Sequence, residues 1–289
     1  MSQPTAEPPS PLVLERIVRM ALEEDVARGD LTTEACVPAD VRGHALLNAR
    51  ESLVFCGLPV VEAVYRLLGG AVEVVARAAD GERLEPGATA CELVGPARAI
   101  LVGERVALNF AQRLSGVATQ ARRYVDALPE GSRTRIADTR KTTPGLRAFE
   151  RWAVRCGGAH NHREDLSSAV LIKDNHIAAA GGVRAAIEAA QAYAPHTSRI
   201  ECEVDTWEQM LEALDAGADI LLLDNFDDAL VAKTVAHVQG HAILEASGGI
   251  TLARIPKLAE TGVDVISSGA LTHSAPAVDL GLDWGAEAR

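Results

Sequence analysis

Aromatic residues make up only 3% of the 289 residues, too few to build a base-stacking platform for nucleic acid. The five cysteines, at positions 36, 56, 91, 156 and 202, are scattered, and no CxxC pair occurs. Neither a disulfide framework nor a cysteine zinc site follows, and the expectation is a reduced, cytoplasmic protein. No apolar run approaches the roughly 20 residues of a membrane span. The opening "MSQPTAEPPSP" is polar and Pro-rich and lacks the apolar core of a signal peptide. Net positive charge is also missing. A formal charge of −12 argues against nucleic acid and anionic membranes as partners. No GxGxxG follows a strand-like run, and no Walker A sequence occurs.

What is present is an ordinary globular composition, 48% hydrophobic and 24% charged, enough for a sizeable core. The charge is uneven. Residues 133–176 hold nine Lys/Arg against five Asp/Glu, a local +4 that leaves −16 on the remainder. A positive island in a negative chain suggests an anionic small molecule; chance clustering on a solvated face is the alternative.

The rhythm of the chain changes near its middle. "PLVLERIVRMALEEDV" predicts an amphipathic helix with Ser10 as N-cap and Pro11 in its first position. Strand-like runs follow at 44–50, 53–56, 71–77 and 88–94, with a helix at 58–68. A long helical stretch over 97–127 is expected to break near Gly116. The second half alternates strands (133–138, 169–174, 199–205, 219–225, 242–247, 263–269) with helices (144–156, 182–194, 206–216, 227–239, 251–260). That alternation argues for a parallel sheet with helices outside, as a barrel or a doubly wound sheet. The six strands run into "DTRKTTPG", "KDNH", "ECEVD", "LLDNF", "EASGGI" and "SSGALTH". Six decorated carboxyl ends fit a barrel mouth better than a single switch point.

Alternation along "IECEVD" sets Ile200, Cys202 and Val204 on one face and Glu201, Glu203 and Asp205 on the other, inward one. Inward carboxylates need neutralising partners. Glu203, with Asp224 on the neighbouring strand, can hold Mg²⁺ together with substrate phosphates, or can pair with the basic island; both readings stay open. "SGG" at Ser247, Gly248 and Gly249, and Ser268, Gly269 and Ala270 of "SSGA", suit a phosphate approached by backbone N–H groups. Arg140, Lys141, His162 and Arg163 together make an anion site the better reading. On the long helix, Arg105, Asn109 and Gln112 form a narrow polar stripe, either a solvent face or the lining of a site on another domain or subunit.

Taken together, "ADTRKTTPGLR", "GGAHNHR", "LIKDNH", "ECEVD", "LLLDNF", "EASGGI" and "GALTHS" resemble the quinolinate phosphoribosyltransferase family, the carboxylating nicotinate-nucleotide pyrophosphorylases. "GERVALNFAQRLSGVAT" and "EDVARGDLTT" share that likeness. The resemblance spans residues 12–284 in order; residues 1–11 have no counterpart, and "LSSA" stands where the family often has an aspartate. It implies an α/β protein with an N-terminal α+β open sandwich domain (1–116, the tail 274–289 packing on it). An incomplete six- or seven-stranded α/β barrel of type II phosphoribosyltransferase kind follows (117–273). It implies transfer of phosphoribosyl from phosphoribosyl pyrophosphate (PRPP) to quinolinate, with decarboxylation, in NAD biosynthesis. The partners it implies are the two substrates and a second copy of the chain, in a homodimer with shared active sites that leaves a higher assembly open. Arg105 would reach quinolinate from the partner subunit. Thr139, Arg140, Lys141, His162, Arg163 and Lys173 would complete the substrate pocket. Glu203 and Asp224 would hold ribose and Mg²⁺-diphosphate. The SGG and SGA loops, with His273, would bind the 5′-phosphate. Two rivals are a phosphoribosyltransferase for another small acid and a phosphometabolite-binding regulator without activity.

Overall fold

Pro11 opens helix α1 (Pro11–Val26), where a fixed φ and a missing N–H cost nothing. Leu14, Val18 and Leu22 recur on one face and are buried against α3 (Leu58–Leu67). Between them, Asp30 caps α2 (Leu31–Cys36) by accepting the Thr33 N–H at 2.9 Å. The computed structural model describes residues 6–26 and 28–285; the expectations placed on 1–5 and on the end of the tail, 286–289, fall outside the described residues.

The chain forms two compact units. The first draws on the chain up to Arg122, on Thr142–Gly158 and on the chain from Leu271 onward; the second comprises Arg123–Lys141 and Ala159–Ala270. In the first, β1 (Arg42–Ala49), β3 (Glu73–Ala76), β5 (Thr89–Pro96) and β12 (Leu280–Trp284) make an antiparallel sheet in the order β12-β1-β5-β3. Ala45, Leu47 and Ala49 alternate into its core, and the tail strand β12 lies along β1. A short pair, β2 (Leu53–Val54) with β4 (Arg83–Leu84), stands beside it.

Two physical reasons set which stretches of chain make up the first unit. Helix α4 (Ala97–Asp126) runs unbroken through Gly116. That glycine gives room rather than a break: a Cβ there would lie 2.0 Å from the Pro276 carbonyl oxygen. The second reason is Arg113. Its guanidinium pairs with fully buried Glu150 on α5 (Arg147–Cys156) at 2.6 Å and donates to the Thr272 and Ala275 carbonyls at 2.6 and 2.7 Å. Glu150 also accepts the Thr143 N–H at 3.0 Å and its hydroxyl at 2.7 Å. One arginine thus binds three stretches of chain into one unit.

The second unit holds β6 (Arg135–Ala137), β7 (Val170–Ile172), β8 (Ile200–Val204), β9 (Ile220–Asp224), β10 (Ile243–Ser247) and β11 (Val265–Ser267). They form one parallel sheet in the order β6-β11-β10-β9-β8-β7, and a single parallel bridge from Ala137 to His160 adds a rudimentary seventh member. Helices α6 (Asp174–Ala180), α7 (Val183–Tyr193), α8 (Trp207–Asp215), α9 (Asp228–Val238) and α10 (Ile255–Glu260) link the strands. Apolar residues such as Ile187, Met210, Val231 and Leu258 bury one side of the last four. Helix α6 was not expected. It starts straight after Lys173, where the His176 Nδ1 accepts the Lys173 N–H at 2.9 Å. Among the described residues no helix is long and apolar enough to cross a membrane.

Arg113→Ala would leave a fully buried Glu150 without its cation. It should lower unfolding stability by about 3–5 kcal/mol in a urea titration, whereas a loss below about 1 kcal/mol would mean that the pair does not hold the unit together.

Candidate active site

Parallel strands bring their carboxyl ends to one side of a sheet, and every strand of the second unit contributes there. A cavity of about 370 Å³ is lined by Thr139, Arg140 and Lys141 after β6, by His162 and Arg163, and by Leu171 and Lys173 of the β7 region. Glu203, Leu222, Asp224, Glu245, Ser247 and Ser267 complete it from β8 to β11. Four cationic side chains, Arg140, Lys141, Arg163 and Lys173, therefore meet in one hollow of a chain whose net charge is −12. A larger open depression of about 950 Å³ lies by the amino ends of β8, β9 and β10, among Arg199, Asp219 and His241, away from this cluster.

Local bonding explains how each group is placed. Asp138, fully buried at the end of β6, accepts the His162 N–H at 2.6 Å and the Asn161 side-chain amide at 2.7 Å. This fixes the segment that carries His162 and Arg163. Arg163 donates to the Ala169 carbonyl at 3.1 Å, and burial, then the Arg140 charge, draws its pKa below the usual arginine range. Lys173 pairs with Glu203 at 2.5 Å. The salt-bridge reading of Glu203 is thus realised, and the carboxylate still faces the cavity beside Asp224. Asn225 donates to Asp224 at 2.7 Å. Gly248 and Gly249 have φ of +83° and +58°, a left-handed backbone that favours glycine; a Cβ on Gly248 would also strike the Asn225 side chain at 2.1 Å.

The structure brings together Thr139, Arg140, Lys141, His162, Arg163, Lys173, Glu203, Asp224 and Ser247. Gly248 and Gly249 follow Ser247 directly, and Ser268, Gly269 and Ala270 follow Ser267, so both loops leave from cavity-lining residues. Arg105 and His273 belong to the first unit. There Arg105 and Asn109 are exposed, while Gln112 donates to the Leu280 carbonyl at 2.8 Å. The inward trio on β8 becomes a pair. The strand ends at Val204, alternation stops with it, and Asp205 is exposed with its N–H on Gln209.

Sequence reasoning assigned no role to Asp138, Glu245 or Ser267, and noted Glu201 only as one of the inward carboxylates. Under the cavity the His162 Nε2 lies 3.3 Å from Glu201 and 3.6 Å from Glu245 Oε1. The signal was available in "ILEAS": if Ser247 faces the mouth, alternation puts Glu245 on the same face one layer deeper. Burial, then the Glu201 charge, pushes the Glu245 carboxyl up to about 7. Burial opposes protonation of His162, but Glu201, Glu245 and Asp138 outweigh it and raise its pKa.

Comparison with known proteins agrees with this geometry. Family models described as quinolinate phosphoribosyl transferase, N-terminal and C-terminal domains, match residues 30–115 and 117–283. The chain is 41% identical over 272 residues to a probable nicotinate-nucleotide pyrophosphorylase [carboxylating] of Bacillus subtilis, covering 94% of this chain and 93% of that one. It is 40% identical over 276 residues to the Homo sapiens nicotinate-nucleotide pyrophosphorylase [carboxylating], covering 94% and 92%. The solved nicotinate-nucleotide pyrophosphorylase of Francisella tularensis superposes with a TM-score of 0.92 at 36% identity, covering 99% of this chain and all of that one. The chain belongs to the quinolinate phosphoribosyltransferase family.

Proposed function

We propose that the cavity of the second unit is where this enzyme joins quinolinate to PRPP, releasing nicotinate mononucleotide, diphosphate and carbon dioxide. The observation that carries the reading is the convergence of Arg140, Lys141, Arg163 and Lys173 on one cavity of about 370 Å³. Quinolinate brings two carboxylates and PRPP brings phosphates, and such ligands need many cations in a small space. Arg140 and Arg163 offer planar forks to carboxylates, and Lys141 and Lys173 offer point charges to oxygen-rich groups. Holding both reactants converts an encounter into a step within one complex. Departure of diphosphate leaves an oxocarbenium-like ribosyl carbon, which the pyridine nitrogen captures. The ring, now cationic, stabilises the electron pair left when the adjacent carboxylate departs as carbon dioxide, and that carbon then takes a proton from solvent. Fixed charges supply the catalysis, and no covalent nucleophile is needed.

Mg²⁺ is the cofactor in this reading. Glu203 and Asp224 offer hard oxygen ligands at the ends of adjacent strands, both reach the same cavity, and such a pair with substrate phosphates suits the ion. When bound, it would neutralise charge on the departing diphosphate. Ser247, Gly248 and Gly249, with Ser268, Gly269 and Ala270, take the 5′-phosphate. Thr139 accepts the Lys141 N–H at 3.1 Å and so shapes the turn that presents Arg140 and Lys141. The reading also places the enzyme in the cytoplasm, in keeping with five free cysteines.

Turnover should require both quinolinate and Mg²⁺; equal use of nicotinate, or full activity in chelator, would sink the reading. Replacing Glu203 or Asp224 by Ala should reduce turnover by roughly 100-fold or more while quinolinate still binds; near-normal turnover at ordinary Mg²⁺ would reduce that residue to a structural role.

Arg105 completes the site from a second copy of the chain in a homodimer. Its exposure on α4 supports a role toward a neighbour. Arg105→Ala and Arg140→Ala homodimers should each be nearly inactive. In a mixed dimer, one site carries both lesions and the other neither, so mixing should restore activity to about half the wild-type value per heterodimer. Demonstrably mixed dimers without recovery would place Arg105 outside the partner's site.

A further inference from the structure

Beneath the cavity's cationic walls lie acids: Glu245 lines the cavity, and Glu245 and Glu201 line a second hollow of about 360 Å³ together with His162. Glu201 and Glu245 are each only 4% exposed. With His162 they form a cluster whose ligand-type atoms all lie within 4.8 Å of one another. The His162 Nδ1 accepts the Arg163 N–H at 2.7 Å. The other ring nitrogen is Nε2. That nitrogen faces both carboxylates, 3.3 Å from Glu201 and 3.6 Å from Glu245. One imidazole carries at most one positive charge, which cannot offset two buried negative charges, and two buried carboxylates so close do not both ionise cheaply.

Glu245 is the better place for the missing proton. Its Oε1 is buried and has no hydrogen-bond partner, and the His162 Nε2 stands off at 3.6 Å, so a charge there is poorly solvated. The groups that face it are Glu201 on β8, His162, Asp138 after β6 and Ser267 on β11; Arg135 of β6 and His160 line the hollow it shares with Glu201, and its neighbour on β9 is apolar Leu222. Beyond Glu201 stand the Arg163 and Arg140 guanidiniums, which the incoming dicarboxylate engages. Glu245 also lines the cavity, so it feels whatever binds above it.

We propose that Glu245 is the proton-holding residue of the pocket: the dicarboxylate binds together with one proton, taken from solvent onto Glu245, which removes a negative charge from the floor as two arrive above it. The proposal rests on the functional reading of this cavity given above. Only an O–H bond forms at Glu245; the dicarboxylate stays ionised, and the Arg163 N–H bond to His162 is kept. The burial-raised pKa of Glu245, about 7 in the free pocket, sets the range in which this is felt. Two further negative charges nearby raise that pKa again. Binding is therefore strongest below about pH 7 and weakens, by up to about tenfold per unit, as pH climbs above the free-pocket value.

The test is kcat/KM for quinolinate between about pH 6 and 9 at saturating PRPP and Mg²⁺, for wild type and Glu245→Gln. Wild type should fall by up to about tenfold per unit above about pH 7. Glu245→Gln keeps the shape but cannot ionise, and should lose that limb. A flat wild-type profile, or the same limb in Glu245→Gln, would overturn the proposal. Calorimetry of quinolinate binding to wild type in two buffers of different ionisation enthalpy gives a readout that needs no variant to fold. Uptake of a fraction of a proton near pH 7, rising toward one above it, is expected, and binding without uptake would overturn the proposal equally. Wild type that never turns over quinolinate at any pH would instead sink the functional reading.

Discussion

The site depends on one buried carboxylate. Asp138 has no exposed surface, and its two oxygens accept the backbone N–H of His162 and the side chain of Asn161. Burying a carboxylate costs several kcal/mol unless charge and hydrogen bonds answer it. Here the answer is local and directional, so the cost is offset only while the 159–163 segment lies beside β6. The bridge from Ala137 to His160 is the backbone half of the same arrangement. His162 and Arg163 thereby arrive at the cavity from a stretch that is neither a full strand nor a helix. Two cavity-lining groups thus owe their position to a residue with no described contact to the cavity.

Charge in this protein is organised by depth as well as by sign. The wall of the cavity holds Arg140, Lys141, Arg163 and Lys173, and beneath them Glu245, which lines the cavity, clusters with Glu201 and His162. Cations brought together without an anion repel one another, and acids beneath them temper that repulsion before substrate arrives. Lys173 shows the same economy at the rim, where Glu203 occupies it. The pocket is thus prepared for polyanions without carrying its full positive charge when empty.

Much of this was legible in the sequence, and the failures are instructive. All six strands of the parallel sheet were visible because buried strands in such sheets are short apolar runs between polar ends. Three misreadings share one cause: local pattern was read where tertiary packing decided. Gly116 looked like a helix break, yet it serves the close passage of the Pro276 backbone. Asp205 looked inward because alternation was extended one residue past the strand end at Val204. The nine basic residues of 133–176 looked like one island, yet Arg147, Arg151 and Arg155 lie on α5 in the first unit and only four of the nine line the cavity. Motifs marked the groups that line the cavity. Asp138 and Glu245 support them from within, and a buried acid inside an apolar run carries no such mark.

The acid floor also separates function from stability. A barrel interior can be filled with branched apolar side chains, and replacing buried ionic groups with such residues is often neutral or stabilising. Glu201 and Glu245 occupy positions where their neighbours on the adjacent strand are the apolar Ile220 and Leu222. The fold therefore does not require acids there. Groups that a fold does not require, and that cost stability, are expected where chemistry is done. In this chain they lie directly under the cations, on the one side of the sheet where six strand ends converge. A charge that is expensive in the empty pocket is one whose balance a bound ligand can change. That is the physical sense in which the floor, silent in the sequence motifs, belongs to the site.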